Sequence, residues 1–387
     1  MKISRRYFTL HLAALLVCFT VDTQAQNDAI VVRGSSKFEI GVGTFAGLSA
    51  SEIKIQLSTL LRDSGYFKIV APRPGVYTVQ GRGTGGQIDS SLIGPQGQSI
   101  FNRDYRRSNL GNNVQILADD IIEAITGTPG ITSGKIVFTG RKAGRKELFL
   151  CNYDGSGVRQ LTRDSSIAVA PSISPDGSFV AYTSYVSGYP DIHTINTNTG
   201  ARSRIVNAPG TNGGAAISPD GRNIACTMSF SGNKELYVVS RNGGRPRSLT
   251  RTRGSESSPT WSPSGSEIIY CSDQTGSPQL YRIGSNGGQA KLLGLGQGYC
   301  TEPAWSPDGN YLAYSARLDT GMTVMLHHFR SNTSTALRAG EAPAWAADSR
   351  HLIYVSNGAL YRLNVDSDKL VRLATGIAGI SEPSWSR

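Results

Sequence analysis

Cysteine is scarce in this chain. Only five of the 387 residues are cysteines, and no two of them form a Cys-x-x-Cys pair. Thiol redox motifs and zinc knuckles are both built on such pairs, so the sequence predicts neither. We expect Cys151, Cys226, Cys271 and Cys300 to pack as small apolar side chains and to remain unbridged.

Long apolar runs are also missing. The longest, residues 12–19, is too short to cross a bilayer as a helix. It follows a basic start that includes Arg5 and Arg6, and small residues precede a predicted cleavage between Ala25 and Gln26. This order is typical of a cleaved secretion signal. The paired arginines leave the general secretory and the twin-arginine routes both open, and either route leads to the periplasm.

No motif for catalysis stands out. The chain has no Gly-x-Ser-x-Gly nucleophile elbow. Gly134-Lys135 lacks the upstream glycine of a phosphate-binding loop, and the glycine cluster at 81–86 lies between predicted strands rather than between a strand and a helix. His327 and His328 are adjacent, so they would face opposite sides of a strand. We therefore predict no enzyme activity, no cofactor and no metal.

Acidic residues are outnumbered. The chain has 39 lysines and arginines against 28 aspartates and glutamates, a net charge of +11. Removal of the first 25 residues leaves about +9. The basic residues are scattered through predicted loops, which does not favour nucleic acid. The excess favours acidic partners or anionic envelope surfaces.

What the chain does contain is a phrase repeated six times. A small-residue approach and an aromatic or aliphatic residue lead into Ser-Pro-Asp-Gly, and an apolar run follows. The copies occupy residues 171–177, 215–221, 259–265, 303–309, 343–349 and 383–387, of which the fifth has lost its Pro-Asp-Gly and the last is truncated. Their spacing is 44 or 40 residues, and a period of about 40–45 residues is typical of a β-propeller with one blade per repeat.

Each repeat contains the signals for four antiparallel strands. Pro-Asp-Gly suits a turn, and residues 179–183 and 191–195 then read as strands in the first copy. A two-residue hairpin signal and a short fourth strand complete the unit. The first blade, residues 135–161, lacks a turn phrase, so we expect residues 382–386 to supply its innermost strand. The predicted fold class is therefore an all-β six-bladed β-propeller preceded by a small α+β domain.

The region before the propeller has no repeat. Strands are expected at residues 29–32 and 38–42, and a capping box at Ser49 and Glu52 predicts the start of a helix. A second amphipathic helix is expected to end at Gly127. The predicted boundaries are a signal peptide at 1–25, an α+β domain at 26–128, a linker at 129–131 and the propeller at 132–387.

This combination resembles the TolB family of bacterial envelope proteins. The most specific stretches are residues 61–67, residues 125–130 leading into the strand at 135–138, and Tyr153-Asp-Gly155. The resemblance implies a non-enzymatic scaffold of the Tol-Pal system. We expect it to be a monomer, although the sequence leaves the oligomeric state open. In the family, the propeller binds the peptidoglycan-associated lipoprotein Pal and the N-terminal extension binds the inner-membrane protein TolA. The system helps to constrict the outer membrane at division and to keep it intact.

The partner-binding loops are predicted to be those that lead into each innermost strand. They occupy residues 162–170, 207–214, 250–258, 295–302, 339–342 and 375–382, and are rich in charge and glycine. Arginine and tyrosine within a polar rim often anchor a partner. The candidate contacts are Arg163, Asp164, Arg251, Arg253, Glu256, Tyr299, Glu302 and Glu382.

Two other classes of function stay open. An exported propeller enzyme, such as a glycan lyase or a cyclotransferase, would need convergent carboxylates, histidines or a metal at the mouth of the pore. A glycan-binding module would need an aromatic pocket. Trp261, Trp305, Trp345 and Trp385 all occupy the same slot of successive blades, which predicts interblade core rather than a ligand platform.

Overall fold

The computed structural model describes residues 37–106 and 109–386. The predicted signal peptide, its cleavage site and the strand expected at residues 29–32 lie outside these ranges. Among the described residues, no helix is long and apolar enough to cross a membrane.

The N-terminal domain is a five-stranded sheet covered by two helices. Its elements are β1 Phe38–Ala46, α1 Ala50–Asp63, β2 Phe67–Val70, β3 Tyr77–Thr84, β4 Gln87–Ile93, β5 Ser99–Tyr105 and α2 Leu110–Thr126. The strand order is β2-β1-β3-β4-β5, and β1 runs parallel to both of its neighbours. The mixed α+β pattern predicted for this region is confirmed.

The helices form because their apolar residues recur at helical spacing and are buried on one face. In α1 these residues are Ile53, Leu57 and Leu61, all fully buried. Burial of each such side chain stabilises the fold by about 1.5–3 kcal/mol. The capping box is not formed, because Ser49 has ψ near 8° rather than the extended backbone that capping requires.

The rest of the chain forms six four-stranded sheets. The strands are β6 Lys135–Lys142, β7 Arg145–Asn152, β8 Arg159–Gln160; β9 Ala168–Ile173, β10 Phe179–Ser184, β11 Asp191–Asn196, β12 Arg202–Val206; β13 Asn212–Ile217, β14 Asn223–Met228, β15 Glu235–Ser240, β16 Arg247–Ser248; β17 Glu256–Trp261, β18 Glu267–Ser272, β19 Gln279–Gly284, β20 Lys291–Leu292; β21 Cys300–Trp305, β22 Tyr311–Leu318, β23 Gly321–His328, β24 Thr333–Ala339; and β25 Glu341–Trp345, β26 His351–Ser356, β27 Ala359–Asn364, β28 Leu370–Arg372, β29 Ala378–Trp385. Blade 1 is β29-β6-β7-β8, and blades 2 to 6 follow in chain order.

The last strand closes the ring, as predicted. β29 pairs antiparallel with β6, with Trp385 opposite Ile136. Ser386 extends this pairing by two hydrogen bonds. Its backbone N–H donates to the Lys135 carbonyl and its hydroxyl accepts from the Lys135 N–H, both at 2.9 Å. Closure pairs the strand edges that an open ring would expose.

The turn phrase depends on its serine as well as on Pro-Asp-Gly. In the first copy, Asp176 accepts from the N–H of Ser178 at 3.0 Å and from the hydroxyl of Ser174. The Ser174 hydroxyl in turn accepts from the N–H of Phe179 at 3.1 Å. Gly177 has φ of 69°, in the left-handed region that favours glycine. The phrase is therefore a self-contained hydrogen-bonded turn, which explains its repetition.

The innermost strands begin earlier than the sequence suggested. In each, the residue directly before the turn phrase has φ between 49° and 62° and lies at a bulge, on both sides of which the strand pairing continues. In five of the six blades a proline follows this residue. The bulge residues are Ala170, Gly214, Ser258, Glu302, Ala342 and Glu382. Glu256, Glu302 and Glu382, predicted to lie in loops, are therefore strand residues.

The four tryptophans are interblade core, as predicted. Each is between 4% and 6% exposed. The indole N–H of Trp261 donates to the Ala216 carbonyl at 2.9 Å, and that of Trp345 donates to the Ala304 carbonyl at 3.0 Å. Both acceptors belong to the preceding blade, so these tryptophans join neighbouring blades.

The N-terminal domain packs on the propeller near the fifth copy of the phrase. Asp348 of that copy accepts from His351 Nδ1 at 2.6 Å, and both line a small cavity with Leu60, Tyr66 and Arg362. This copy keeps the aspartate, Asp348, but has Ala347 and Ser349 in place of the proline and the glycine, so the change in the turn phrase coincides with a domain contact.

Candidate protein-binding face

Two sets of loops share one end of the ring, which we call the loop face. It comprises the segments before the innermost strands and the connections between second and third strands. Backbone hydrogen bonds join the two sets and the strand ends beside them, for example Tyr185 N–H to Ile167 O at 2.9 Å, Ser229 N–H to Thr211 O at 3.0 Å, and Arg317 N–H to Tyr299 O at 3.1 Å. The Ser-Pro-Asp-Gly turns lie at the other end, which we call the turn face.

All three candidate arginines are available on the loop face. Arg163, Arg251 and Arg253 are exposed. Within the described ranges, none of the three has an ion-pair partner. Asp164 differs, because its carboxylate forms an ion pair with Arg202 and its side chain is only 10% exposed. The arginines can therefore meet an acidic partner, whereas Asp164 holds its own loop against the neighbouring strand.

Tyr299 is half-buried and also has a partner within the chain. The guanidinium carbon of Arg317 lies 4.4 Å from the centroid of its ring. Such a stack presents a flat aromatic–cation pair. The sequence pointed to Tyr299 but did not reveal Arg317, which lies at the end of a strand rather than in the loop itself.

The candidate glutamates do not project from the loop face. Glu302 Oε2 accepts from the Ala342 N–H at 2.9 Å and from the Ser315 hydroxyl at 2.7 Å. Glu382 Oε2 accepts from the Ala170 N–H at 3.0 Å and from the Thr139 hydroxyl at 2.9 Å. Each carboxylate therefore reaches the bulge of the next blade. Burial raises the pKa of Glu302.

Glu256 is entirely buried. A residue with no exposed surface cannot touch a docked protein, so Glu256 is not available as a direct partner contact. Its side chain lies beneath the loop that carries Arg251 and Arg253. Its carboxylate accepts hydrogen bonds from the hydroxyl groups of Thr252 and Ser272.

The loop face also carries exposed apolar side chains that the sequence reasoning missed. Ile167, Val186, Tyr189 and Phe230 are 44%, 51%, 74% and 50% exposed. All four lie in loops of blades 2 and 3. Val186 and Phe230 are 44 residues apart, so they occupy equivalent positions of adjacent blades. For Val186 and Phe230, an apolar residue recurring in a loop rich in serine and glycine was the signal that could have identified them; Ile167 and Tyr189 have no apolar equivalent in the next blade.

The channel through the ring has a volume of about 270 Å³. It is lined by the innermost strands, including the six bulge residues and the edges of the four tryptophans. Across the part of the chain that the structure describes, no group of histidine, cysteine, aspartate and glutamate side chains is arranged to hold a metal ion.

Comparison with solved structures gives the same fold. The crystal structure of TolB from Acinetobacter baumannii aligns with a TM-score of 0.75 at 23% identity, covering 91% of this chain and 97% of that one. A putative TolB from Agrobacterium tumefaciens aligns with a TM-score of 0.51 at 17% identity, covering 62% of this chain and 88% of that one.

Sequence comparison identifies the family. The chain is 34% identical over 121 residues to a TolB homologue of Chlorobaculum tepidum, covering 30% of this chain and 27% of that protein. It is 40% identical over 93 residues to the Tol-Pal system protein TolB of Desulfosudis oleivorans, covering 24% and 21%. A longer match, 27% identical over 236 residues, covers 51% of this chain and 54% of a Chlorobium luteolum homologue. The matches thus span from about a fifth to about half of these relatives. The model of the TolB β-propeller domain matches residues 122–387, and the chain therefore belongs to the TolB β-propeller family.

Proposed function

We propose that this protein is a non-catalytic periplasmic scaffold of the Tol-Pal system. Its loop face binds a peptidoglycan-associated lipoprotein, and its N-terminal region binds an inner-membrane Tol protein. Through these contacts it supports constriction and integrity of the outer membrane. The similarity to the Tol-Pal system protein TolB of Desulfosudis oleivorans supports this assignment.

The observation that carries the proposal is the composition of the loop face on blades 2 to 4. Protein-binding surfaces combine aromatic or aliphatic anchors with arginine and a polar surround. Tyr189 and Phe230 supply exposed aromatic surface, and Arg251 and Arg253 supply unpaired positive charge. An acidic partner with an apolar centre fits this surface, because it would cover the rings and neutralise the arginines.

The N-terminal half of the proposal rests on family membership. The segment 26–32 that would contact the inner-membrane protein lies outside the described residues. Its test is a chain that begins after residue 36, which should still bind the lipoprotein and lose the inner-membrane partner.

The experiment for the propeller is affinity capture from an envelope extract of the same organism. We expect the protein to recover a lipoprotein with an OmpA-like peptidoglycan-binding domain. Arg251→Glu combined with Arg253→Glu should weaken capture at least tenfold and leave the melting temperature nearly unchanged, because both side chains are exposed and unpaired. Tyr189→Ala with Phe230→Ala should act in the same direction.

A matched control lies on the turn face. Arg222 and Arg245 are exposed there and have no ion-pair partner among the described side chains. Arg222→Glu with Arg245→Glu makes the same change in net charge and should leave capture intact. Equal loss from both pairs would show that bulk charge governs association. Processing of an envelope polysaccharide by the purified protein would instead favour an exported enzyme.

A further inference from the structure

Two buried carboxyl groups meet where blade 3 packs on blade 4. Glu235 begins β15 and Glu256 begins β17, and their side chains are 4% and 0% exposed. Oε2 of Glu256 has no hydrogen-bond partner among the described residues. Two ionised carboxylates in one buried space repel each other, so such a pair is stable when one group keeps its proton.

Both carboxyl groups hold the loop at residues 249–255. Glu235 accepts from the Thr252 N–H at 2.8 Å and from the Thr250 hydroxyl at 2.7 Å. Glu256 Oε1 accepts from the Thr252 hydroxyl at 2.9 Å and from the Ser272 hydroxyl at 3.1 Å. Thr252 is thus bonded to both members of the pair.

That threonine stands between the two exposed arginines of the loop face, Arg251 and Arg253. Its carbonyl also accepts from the Asn233 side chain at 3.1 Å, and the Ser255 N–H donates to Asp273 at 2.7 Å. The position of the arginines therefore depends on polar groups beneath them.

The interface between blades 2 and 3 has an amide and one acid at the positions that Glu256 and Glu235 occupy between blades 3 and 4. Asn212 is the equivalent of Glu256, and Asp191 is the equivalent of Glu235, each 44 residues earlier. There the Asn212 amide donates to Asp191 at 3.3 Å, and Arg204 forms an ion pair with Asp191 at 2.8 Å. Between blades 3 and 4 the amide is replaced by a second acid, and neither carboxylate has an ion-pair partner among the described residues.

The charged and titratable groups around Glu256 are few. Glu235 and Asp273 are the acids near it, and the Tyr270 ring lies on the adjacent strand. Burial raises the pKa of Glu256 to about 7, with the Glu235 charge acting in the same direction and hydrogen bonds from Thr252 and Ser272 opposing it.

We propose that Glu235 and Glu256 are positioning residues that hold the arginine-bearing loop in its docking conformation while Glu256 is protonated, and that loss of the Glu256 proton loosens the loop. The inference deepens the proposed function by giving the loop face a pH-dependent part. The neutral form of Glu256 stabilises the folded loop. That stabilisation is complete below pH 4.5 and is lost as the pH rises towards about 7.

The test is hydrogen–deuterium exchange of the full chain at pH 6 and pH 8, with rates divided by the intrinsic rate at each pH. Protection of residues 249–255 should be about tenfold lower at pH 8 than at pH 6, from the linkage between opening and ionisation. The loop at residues 207–211, next to Asn212, should change little. This readout needs no partner, so it can fail while the proposed function stands.

Variants separate the ionisation of Glu256 from simple packing. Glu256→Gln supplies an amide like that of Asn212 and should keep the loop protected at both pH values. Glu256→Ala removes the hydrogen bonds and should expose it at both. A wild-type pH profile in Glu256→Gln, or equal wild-type protection at pH 6 and pH 8, would overturn the proposal.

Discussion

The guanidinium of Arg350 lies over the ring of Tyr66, with 4.3 Å between its central carbon and the ring centroid. Arg350 follows the degenerate fifth turn phrase, and Tyr66 follows α1, so the stack joins blade 6 to the N-terminal domain. The same guanidinium forms an ion pair with Asp366. This contact is therefore a place where a single substitution can loosen one domain from the other.

Arg350→Ala should weaken the domain contact by about 0.5–2 kcal/mol, the range of a cation–π stack. The measurement is chemical unfolding followed by probes in each domain, and we expect the two transitions to separate. Arg241→Ala removes a similar stack on Phe179, at 4.6 Å, within the propeller. It should leave the two transitions coincident.

Truncation after Ala374 should prevent a stable monomeric ring. The deletion removes β29, leaving the edge of β6 and the Lys135 backbone groups without partners, and exposed edges promote aggregation. Size-exclusion chromatography and thermal melting test this. A soluble monomer with an unchanged melting temperature would contradict ring closure by the last strand.

The turn at Ser306–Asn310 should respond differently to two substitutions. Gly309 has φ of 78°, so Gly309→Val should cost about 1–3 kcal/mol through strain on a β-branched residue. Asp308 accepts from the Asn310 N–H at 3.0 Å, and Asp308→Ala should cost about 1 kcal/mol. Urea unfolding gives both values. Capture of a partner should be unchanged in either variant, because this turn lies on the turn face.

The thiols of Cys151, Cys226, Cys271 and Cys300 should be inert while the protein is folded. Burial raises the pKa of Cys151 and Cys226 to about 12 and that of Cys300 to about 11, and it raises the pKa of Cys271 as well. Little thiolate is then present at neutral pH. A chain beginning at Gln26 should show slow thiol modification at pH 7.5 and four rapid reactions after unfolding. Rapid modification of the folded chain would contradict the buried placement.

Sequence reasoning recovered the propeller because its signals are local. Proline, aspartate and glycine define each turn, and apolar runs of five residues define the strands that follow. The same approach failed at Ser49, where the residue pattern of a capping box was present but the backbone conformation was not. It also placed Glu302 and Glu382 in loops, because a left-handed bulge residue looks like a loop residue until strand pairing is seen to resume before it.

Only part of the candidate set lies at the surface, and its role in binding stays a prediction. Arg163, Arg251 and Arg253 are exposed on the loop face, as a charged residue in a predicted loop should be. The exposed rings of Tyr189 and Phe230 were missed. Phe230 repeats the position of Val186 in the preceding blade, which is a usable signal, whereas Tyr189 has no apolar equivalent one repeat later.

By itself, the sequence determined the number of blades, the four-stranded unit and the closing strand, because spacing and turn chemistry act over a few residues. Only the tertiary structure decided that Glu256 is buried against Glu235, that the bulge glutamates reach the next blade and that the fifth turn faces the N-terminal domain. The physical reason is that burial and partner choice depend on side chains that lie in other blades or in the other domain. No periodicity within one repeat encodes those neighbours.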